Sequence, residues 1–494
     1  MTGRPAPASP PGCESRLCAS SRARLTLRLA SYTTIVVSEA CSRPSFLVEL
    51  GCRSHCPPAA GRARHRAPRV GAAQASQRRD PSMKVLIVGA GMQGQVLTWN
   101  LGRNEAVSEI LVADYDEARA GFVAGQVGNG KARATFIDAS DSDAVAKAAD
   151  GAVLVVNAVI PEFNIAIMRA CLKAGADYLD MASGQTRALT IDEAFLEQFK
   201  LDDDFKKAGL TALLSTGMDP GVTNTFAGNG YEDLDKCFEI RIKDYSVFES
   251  PVPLQVWSQE TYYTDCAQPP LLYEDGEFKR VEPFGRREHY MFPEPWGLGP
   301  VICHDHEEVT TLPRLLPKTF GDKGLRYVDF KMGMPEEGID ADKAFVETGM
   351  ASKEPVTLKD GSKVRPIDVF VATLPANPPA DELAKLALSG AITDIGVVTV
   401  DCIGEKGGKP ASVGYVIVPP DIKWVNERIP GATMVSYGTS TPASIYAEFI
   451  VEDRITESGV VAPEILPREV RDAFIVECGR RNMPITRKDH VQVN

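Results

Sequence analysis

The chain has 494 residues, enough for roughly two to four domains, and its hydrophobic share of 44% supports a real core although no apolar run is long enough to span a bilayer. The formal net charge of −12 is unevenly spread: residues 1–82 hold thirteen Arg, no Lys and four acids, which leaves 41 basic and 62 acidic residues for the rest. So acidic a body should repel nucleic acid and anionic membranes, and neither is expected as a partner.

Residues 1–82 also contain five of the eleven cysteines, with abundant Ser, Ala and Pro. Two readings of this stretch are open. It is an Arg-rich, acid-poor transit peptide, which would send the protein to an organelle, or it is sequence upstream of a start at Met83. The second is preferred, and 1–82 is set aside as a disordered leader. The other six cysteines are scattered without a CxxC pair, which suits reduced thiols and a cytoplasmic location.

From Met83 the elements begin at once. Lys84-Val-Leu-Ile-Val88 reads as a buried parallel strand, and Gly89, Gly91 and Gly94 follow in GxGxxG spacing, for a tight turn, close approach to a pyrophosphate and packing of helix on strand. The helix opening there, with Met92 and Gln93 in its first turn, aims free N–H groups at phosphate. A second strand, Ile110-Leu-Val-Ala-Asp114, ends in an acid twenty residues beyond the glycines. Asp114 would accept hydrogen bonds from the adenosine ribose and repel a 2′-phosphate, so NAD is favoured, with NADP as the alternative because Arg119 is close by.

Strand and helix go on alternating. Strands are predicted at 131–138, 153–157, 178–180 and 210–215, with helices at 144–149, 162–174 and 192–208. In the helix at 162–174, Ile165, Met168, Ala170 and Leu172 are the expected buried face, and Gly175 the left-handed cap. Six strands with helical crossovers require a doubly wound parallel sheet, a Rossmann domain placed at 83–218.

After Met218 the pattern changes. Apolar–polar alternation at 238–243, 327–331 and 397–401 predicts half-exposed strands of an antiparallel or mixed sheet, and hence a second α/β domain over 219–430. Between them, 248–320 reads as a loop-rich span of the kind that forms lids or binding loops. An apolar helix is predicted at 441–451 with Pro442 in its first turn.

Ligands of doubly wound sheets bind outside the carboxyl ends of the strands. Those ends carry Asn157, Ala158 and Val159 after strand four, beside the nicotinamide, then Asp180 after strand five, and Asp219 and Asn224 after strand six. A buried terminal carboxylate such as Asp180 must be paired, hydrogen-bonded or protonated; a role in chemistry and a role as turn acceptor stand equal. Asp219-Pro-Gly221 has a sufficient explanation as a turn, yet its position puts Asp219 near any substrate. His304-Asp-His306-Glu-Glu308 invites a metal reading, but no further histidine cluster completes a site. No metal is expected, and a polar substrate-facing loop or solvated turn is preferred.

Taken together, these segments resemble the saccharopine dehydrogenase family. The resemblance rests on 88–94, on Val155-Val-Asn-Ala158, on 167–180, on Met218-Asp-Pro-Gly-Val-Thr-Asn224, on 306–314 and on Gly459-Val-Val-Ala-Pro-Glu464, which run in order over nearly all of 83–494. It implies a nicotinamide domain, a central domain that binds substrate and forms a homodimer, and a C-terminal segment at 431–494 returning to the first domain. It also implies oxidation or reduction at a carbon–nitrogen bond of a small amino acid or polyamine derivative. On that footing Asp180 is the candidate for the proton or for the substrate ammonium, Arg314 for a substrate carboxylate, and Glu260 a weaker amine partner. Two other functions stay open: a synthase that oxidises its substrate only transiently, and a non-catalytic NAD sensor.

Overall fold

The computed structural model of the chain describes residues 83–492; the leader and both readings of it lie outside the described residues. The first half alternates as β1 (Lys84–Val88), α1 (Met92–Arg103), β2 (Glu109–Asp114), α2 (Glu117–Val127), β3 (Ala132–Phe136), α3 (Ser142–Ala148), β4 (Ala152–Asn157), α4 (Asn164–Ala174), β5 (Asp177–Asp180), α5 (Ile191–Phe199), α6 (Asp202–Ala208) and β6 (Thr211–Leu213). These six strands pair in parallel in the order β6-β5-β4-β1-β2-β3. Both faces of the sheet are covered. Val85 and Ile87 of β1 join one core and Leu86 and Val88 the other, so the strand has no polar face to show in its sequence.

Two helices differ from expectation. The span 192–208 divides into α5 and α6, with three acids, Asp202, Asp203 and Asp204, in the first turn of the second helix, where the helix dipole favours them. Helix α4 follows a short 3₁₀ turn at Pro161–Phe163; it buries Met168 and Ala170 as expected, but Ile167 and Cys171 in place of Ile165 and Leu172.

After α7 (Val222–Asp233) the second half contributes β7 (Lys236–Glu249), α8 (Gln259–Cys266), β8 (Leu271–Glu274), β9 (Glu277–Arg280), β10 (Glu288–Met291), β11 (Leu298–Cys303), α9 (Glu307–Phe320), β12 (Tyr327–Gly333), α10 (Glu336–Glu347), the short pair β13 (Val356–Thr357) and β14 (Lys363–Val364), α11 (Pro366–Thr373), α12 (Ala380–Ser389), β15 (Thr393–Lys406) and β16 (Lys409–Ile417). Then come α13 (Ile422–Asn426), α14 (Met434–Val451), β17 (Gly459–Val461), α15 (Arg468–Arg480) and β18 (Ile485–Val491). The second sheet runs β10-β11-β12-β7-β15-β16-β18, with β8 and β9 attached to β12. It is mixed, since β7 and β12 are parallel while the remaining pairs are antiparallel.

The loop-rich reading of 248–320 is overturned: this stretch holds α8, four short strands and the fourteen-residue α9. Pro313 and Pro317 lie inside α9 and disguise it, because proline normally argues against a helix interior. The tail helix is corrected too. It begins at Met434, where the Thr433 hydroxyl accepts from the Ser436 N–H at 3.0 Å, and Pro442 sits inside it. Beyond it β17 pairs in parallel with β6 as a seventh strand of the first sheet, while β18 closes the edge of the second beside β16. Among the described residues no helix is long and apolar enough to cross a membrane.

Parallel pairing of β7 with β12 brings Lys243 and Asp329 together at 2.8 Å, with side chains 1% and 0% exposed. Removing Lys243 would leave the buried Asp329 carboxylate with only the Tyr327 hydroxyl at 3.0 Å and the more distant Lys331 ammonium at 3.8 Å. Lys243→Met is therefore expected to lower unfolding free energy by about 3–5 kcal/mol in denaturant titrations, and an unchanged midpoint would show that the pair does not brace the sheet.

Candidate active site

A cleft of about 1470 Å³ opens at the carboxyl edge of the first sheet and is walled on its far side by the second. The glycine turn forms one end. Gly89 has φ +109°, and a Cβ there would lie 2.6 Å from the Ala158 carbonyl oxygen; at Gly94 it would lie 1.9 Å from that of Gly89. A Cβ on Gly91 would instead meet nothing within 4 Å, since Gly91 lines the cleft. Helix α1 starts there without a side-chain cap, so its first N–H groups are available to a pyrophosphate. Met92 and Gln93 line the same end. These features fit a dinucleotide.

At the rim Asp114 accepts from the N–H groups of Ala90 at 2.6 Å and Asp116 at 2.9 Å. It thus fixes the glycine loop as well as facing the cleft. Arg119 is anchored beside it, its Nε donating to the Ala90 carbonyl at 2.9 Å, and presents a cation at the same rim. Asn157 is a bracket: its Oδ1 accepts from the Val159 N–H at 3.1 Å and its Nδ2 donates to Tyr178 Oη at 3.0 Å, so Ala158 and Val159 are held against the cleft.

Asp180 lines the cleft wall at 1% exposure. Its carboxyl accepts from the Ser215 N–H at 2.6 Å, Gln198 Nε2 at 2.7 Å and Tyr178 Oη at 2.9 Å. Burial lifts it to about 7 against those three bonds. Little of it is free for a substrate.

Deeper in, six residues from five segments converge. Asp219 comes from the turn after β6, Asp244 from β7, Asp265 from α8, His304 and His306 from the loop after β11, and Glu307 from the start of α9; all line the cleft. His306 Nδ1 lies 2.5 Å from Glu308 Oε2, and its ring stacks on Phe330 with centroids 3.9 Å apart. Burial works against the imidazolium, but Glu308, Glu307 and Asp219 outweigh it and hold it up to about 10. His304 is pushed down to about 3 by burial and by the neighbouring charge of His306. Burial raises Asp244 to about 7 and Asp265 to about 8, and lifts Asp219 well above the carboxylate range, with Asp244 beside it adding to the rise. Glu308 accepts from Thr223 Oγ1 at 2.7 Å and Glu307 from the Gly184 N–H at 2.8 Å. Oxygen and nitrogen atoms of His306, Glu307 and Glu308 lie within 4.8 Å of one another, a spacing that could also accept a metal ion.

Arg314 and Glu260 are not among the residues lining the cleft. On α9 the Arg314 guanidinium lies 3.9 Å from the Phe278 ring centre and donates to the Thr310 carbonyl at 2.6 Å. Glu260 faces Lys353 and Arg365, although its neighbours Gln259 and Thr261 do line the cleft. Missing from the sequence reading were Asp244 and Asp265, while Glu307 stood in it only as one member of the polar stretch 304–308. Asp244 follows directly on the alternating stretch 238–243, which marks a strand and no chemistry. Asp265 carries no signal at all.

A glycine-turn sheet joined to a mixed sheet across an acidic cleft defines a two-domain dinucleotide-dependent dehydrogenase. Residues 85–213 match the sequence model of the saccharopine dehydrogenase NADP binding domain, and 217–481 that of the saccharopine dehydrogenase C-terminal domain. The chain belongs to the saccharopine dehydrogenase family and is an NAD(P)-dependent oxidoreductase acting at a carbon–nitrogen bond. It is 28% identical over 407 residues to the carboxyaminopropylagmatine dehydrogenase of Synechocystis sp., covering 81% of this chain and 96% of that protein. With the carboxynorspermidine synthase of Vibrio cholerae it is 28% identical over 347 residues, 67% of this chain and 80% of that one. The apo saccharopine dehydrogenase (L-Glu forming) of Saccharomyces cerevisiae shares the fold with a TM-score of 0.60 at 16% identity, covering 83% of this chain and all of that one.

Because Glu308 supplies most of the attraction that keeps His306 charged, Glu308→Gln should move the imidazole titration from about 10 toward the ordinary value near 6.5. Nuclear magnetic resonance of the ring carbons measures it. A midpoint that stays near 10 would contradict the assigned cause.

Proposed function

We propose that the cleft reduces, or in reverse oxidises, the carbon–nitrogen bond of a carboxylated polyamine. The observation that carries this reading is the ring of acids, Asp219, Asp244, Asp265 and Glu307, facing a space where a substrate with several ammonium groups would be stabilised. The names of the two bacterial relatives point the same way.

When bound, NAD(P)H supplies the hydride. The chain must hold the imine carbon in place and deliver one proton to its nitrogen. His306 is the proposed donor: held at about 10 it matches the basicity of the amine that forms, so the transfer is nearly balanced, and a proton taken up from solvent regenerates the imidazolium that Glu308 stabilises. Asp219 and Asp244 are assigned to the substrate ammonium, and Asp180 to bracing the wall they stand on. The cofactor rests on Gly89, Gly91, Met92, Gln93 and Gly94, with Asn157, Ala158 and Val159 beside the nicotinamide. At the rim Asp114 disfavours a 2′-phosphate and Arg119 favours one. We also infer a cytoplasmic homodimer. Its support is the six buried free thiols among the described residues and the exposed cross-strand pair Met291 and Leu298 on β10 and β11.

Incubation with NADPH or NADH, a diamine and a carboxylated aldehyde, followed at the reduced-cofactor absorbance, should show consumption that needs both carbon substrates. His306→Gln should slow turnover by roughly 10²–10³-fold; consumption untouched by that change would remove His306 from the chemistry. In wild type, kcat/KM should rise as pH passes through 7 to 8, where Asp244 and Asp265 lose their protons. A flat profile over that range would exclude them from amine binding. The NADP-to-NAD ratio of kcat/KM should rise about tenfold in Asp114→Asn and fall about tenfold in Arg119→Ala, and equal ratios in all three proteins would take both residues out of cofactor choice.

A further inference from the structure

The acids of the cleft do not stop at the reacting end. On α8, Tyr262 stands one helical turn from Asp265, and opposite it on α10 is Asp342; all three line the cleft. The Asp342 carboxylate accepts from the Tyr262 hydroxyl, and from the Tyr263 hydroxyl at 3.3 Å. Behind them Tyr263 packs on Phe345 and Phe370, with ring centres 4.3 and 5.2 Å apart, so this carboxylate is held on a rigid aromatic floor. Trp257 lies edge-on to Tyr262 at 5.6 Å, and it lines the cleft with 38% of its surface open.

We infer that Asp342, Tyr262 and Trp257 form a second cation site, which grips the distal ammonium or guanidinium of the amine substrate while its other nitrogen reacts near His306. This rests on the proposed amine chemistry and extends it to substrate selection. A half-buried carboxylate oriented by two phenols supplies a fixed negative charge, and an indole beside it supplies a ring face. That is the pairing which recognises organic cations. Asp265 neighbours Glu307 on one side, and the adjoining Cys266 neighbours Asp342, so the carboxylates continue from the reacting end toward this site. A rod-like molecule with cationic groups at intervals matches this arrangement, whereas a simple amino acid would leave its outer end unused. The two hydroxyls would be satisfied by an uncharged acceptor equally well, so their bonding alone does not require an acid at 342. The indole packs edge-on against Tyr262 and still leaves part of its surface open to the cleft.

The test compares 1,4-diaminobutane with 1-aminobutane as ligands for the NADP⁺-loaded protein, by calorimetry and, with a carboxylated aldehyde and NADPH, by turnover. Wild type should bind the diamine at least about tenfold more tightly. Asp342→Asn, which keeps an acceptor for both tyrosines, and Trp257→Ala, at a partly exposed position, should each erase that preference. In turnover they should raise KM for the diamine about tenfold, with kcat within about twofold and the monoamine unchanged. Asp342→Glu should restore part of the preference. Equal losses for both amines, or a diamine preference that survives both variants, would overturn the distal site. Diamine binding that depends on Asp342 without NADPH consumption would overturn the proposed reaction and leave the site standing.

Discussion

Asp219, Asp244, Asp265 and Glu307 face one cleft, with Glu308 behind them and the His306 imidazolium as their central cation. With Lys353 near Asp265 as the other cation, the buried carboxyls are still in excess, so some must hold protons until a cation arrives. This sets the behaviour of the whole site. Because burial raises Asp244 and Asp265 above their unfolded values, their contribution to stability is complete below about pH 4 and is lost as pH rises through 7 to 8. A polycationic ligand of the kind proposed would reverse that loss by pairing with the ionised forms. Binding and protonation are thus one equilibrium, and the empty protein is a poor host for its own charges near neutrality.

Holding such a cluster together takes more than the two walls of the cleft. Thr223 donates to Glu308, and the next residue, Asn224, donates to Thr311 of α9 at 3.0 Å and to Glu464 at 3.1 Å. Glu464 belongs to the returning C-terminal segment, just past β17, which pairs with β6. One turn after β6 therefore ties the first sheet, the helix that carries Glu307 and Glu308, and the last stretch of the chain. The first sheet in turn fixes the glycine loop through Asp114, so the cofactor end and the acidic end hang from one frame. Hydride transfer needs that rigidity, since the reacting atoms must be held within a fraction of an ångström.

The glycine turn, the parallel sheet and the alternating strands of the second half were legible because each leaves a local pattern: apolar runs with glycines in one case, a period of two in the other. Asn157, Asp180 and Asp219 could be marked by their position at strand ends. The acids that complete the cluster could not. Asp265 sits in an unremarkable eight-residue helix inside a span that its prolines and aromatics made look irregular, and Glu307 looked like part of a polar loop because α9 contains two prolines. Arg314, which the family resemblance offered for a substrate carboxylate, lies on α9 over Phe278 and does not line the cleft. Long-range convergence of single residues from β7, α8 and α9 has no signature in any short window. His306 is the exception, since two histidines among acids signalled a polar site before any geometry was known.

Transfer of a label tests the central claim most directly. With both C4 hydrogens of the reduced nicotinamide replaced by deuterium, a diamine and a carboxylated aldehyde should give a secondary amine bearing a single deuteron on the carbon attached to nitrogen, formed in step with cofactor oxidation. Product without deuterium would contradict direct hydride transfer at a carbon–nitrogen bond.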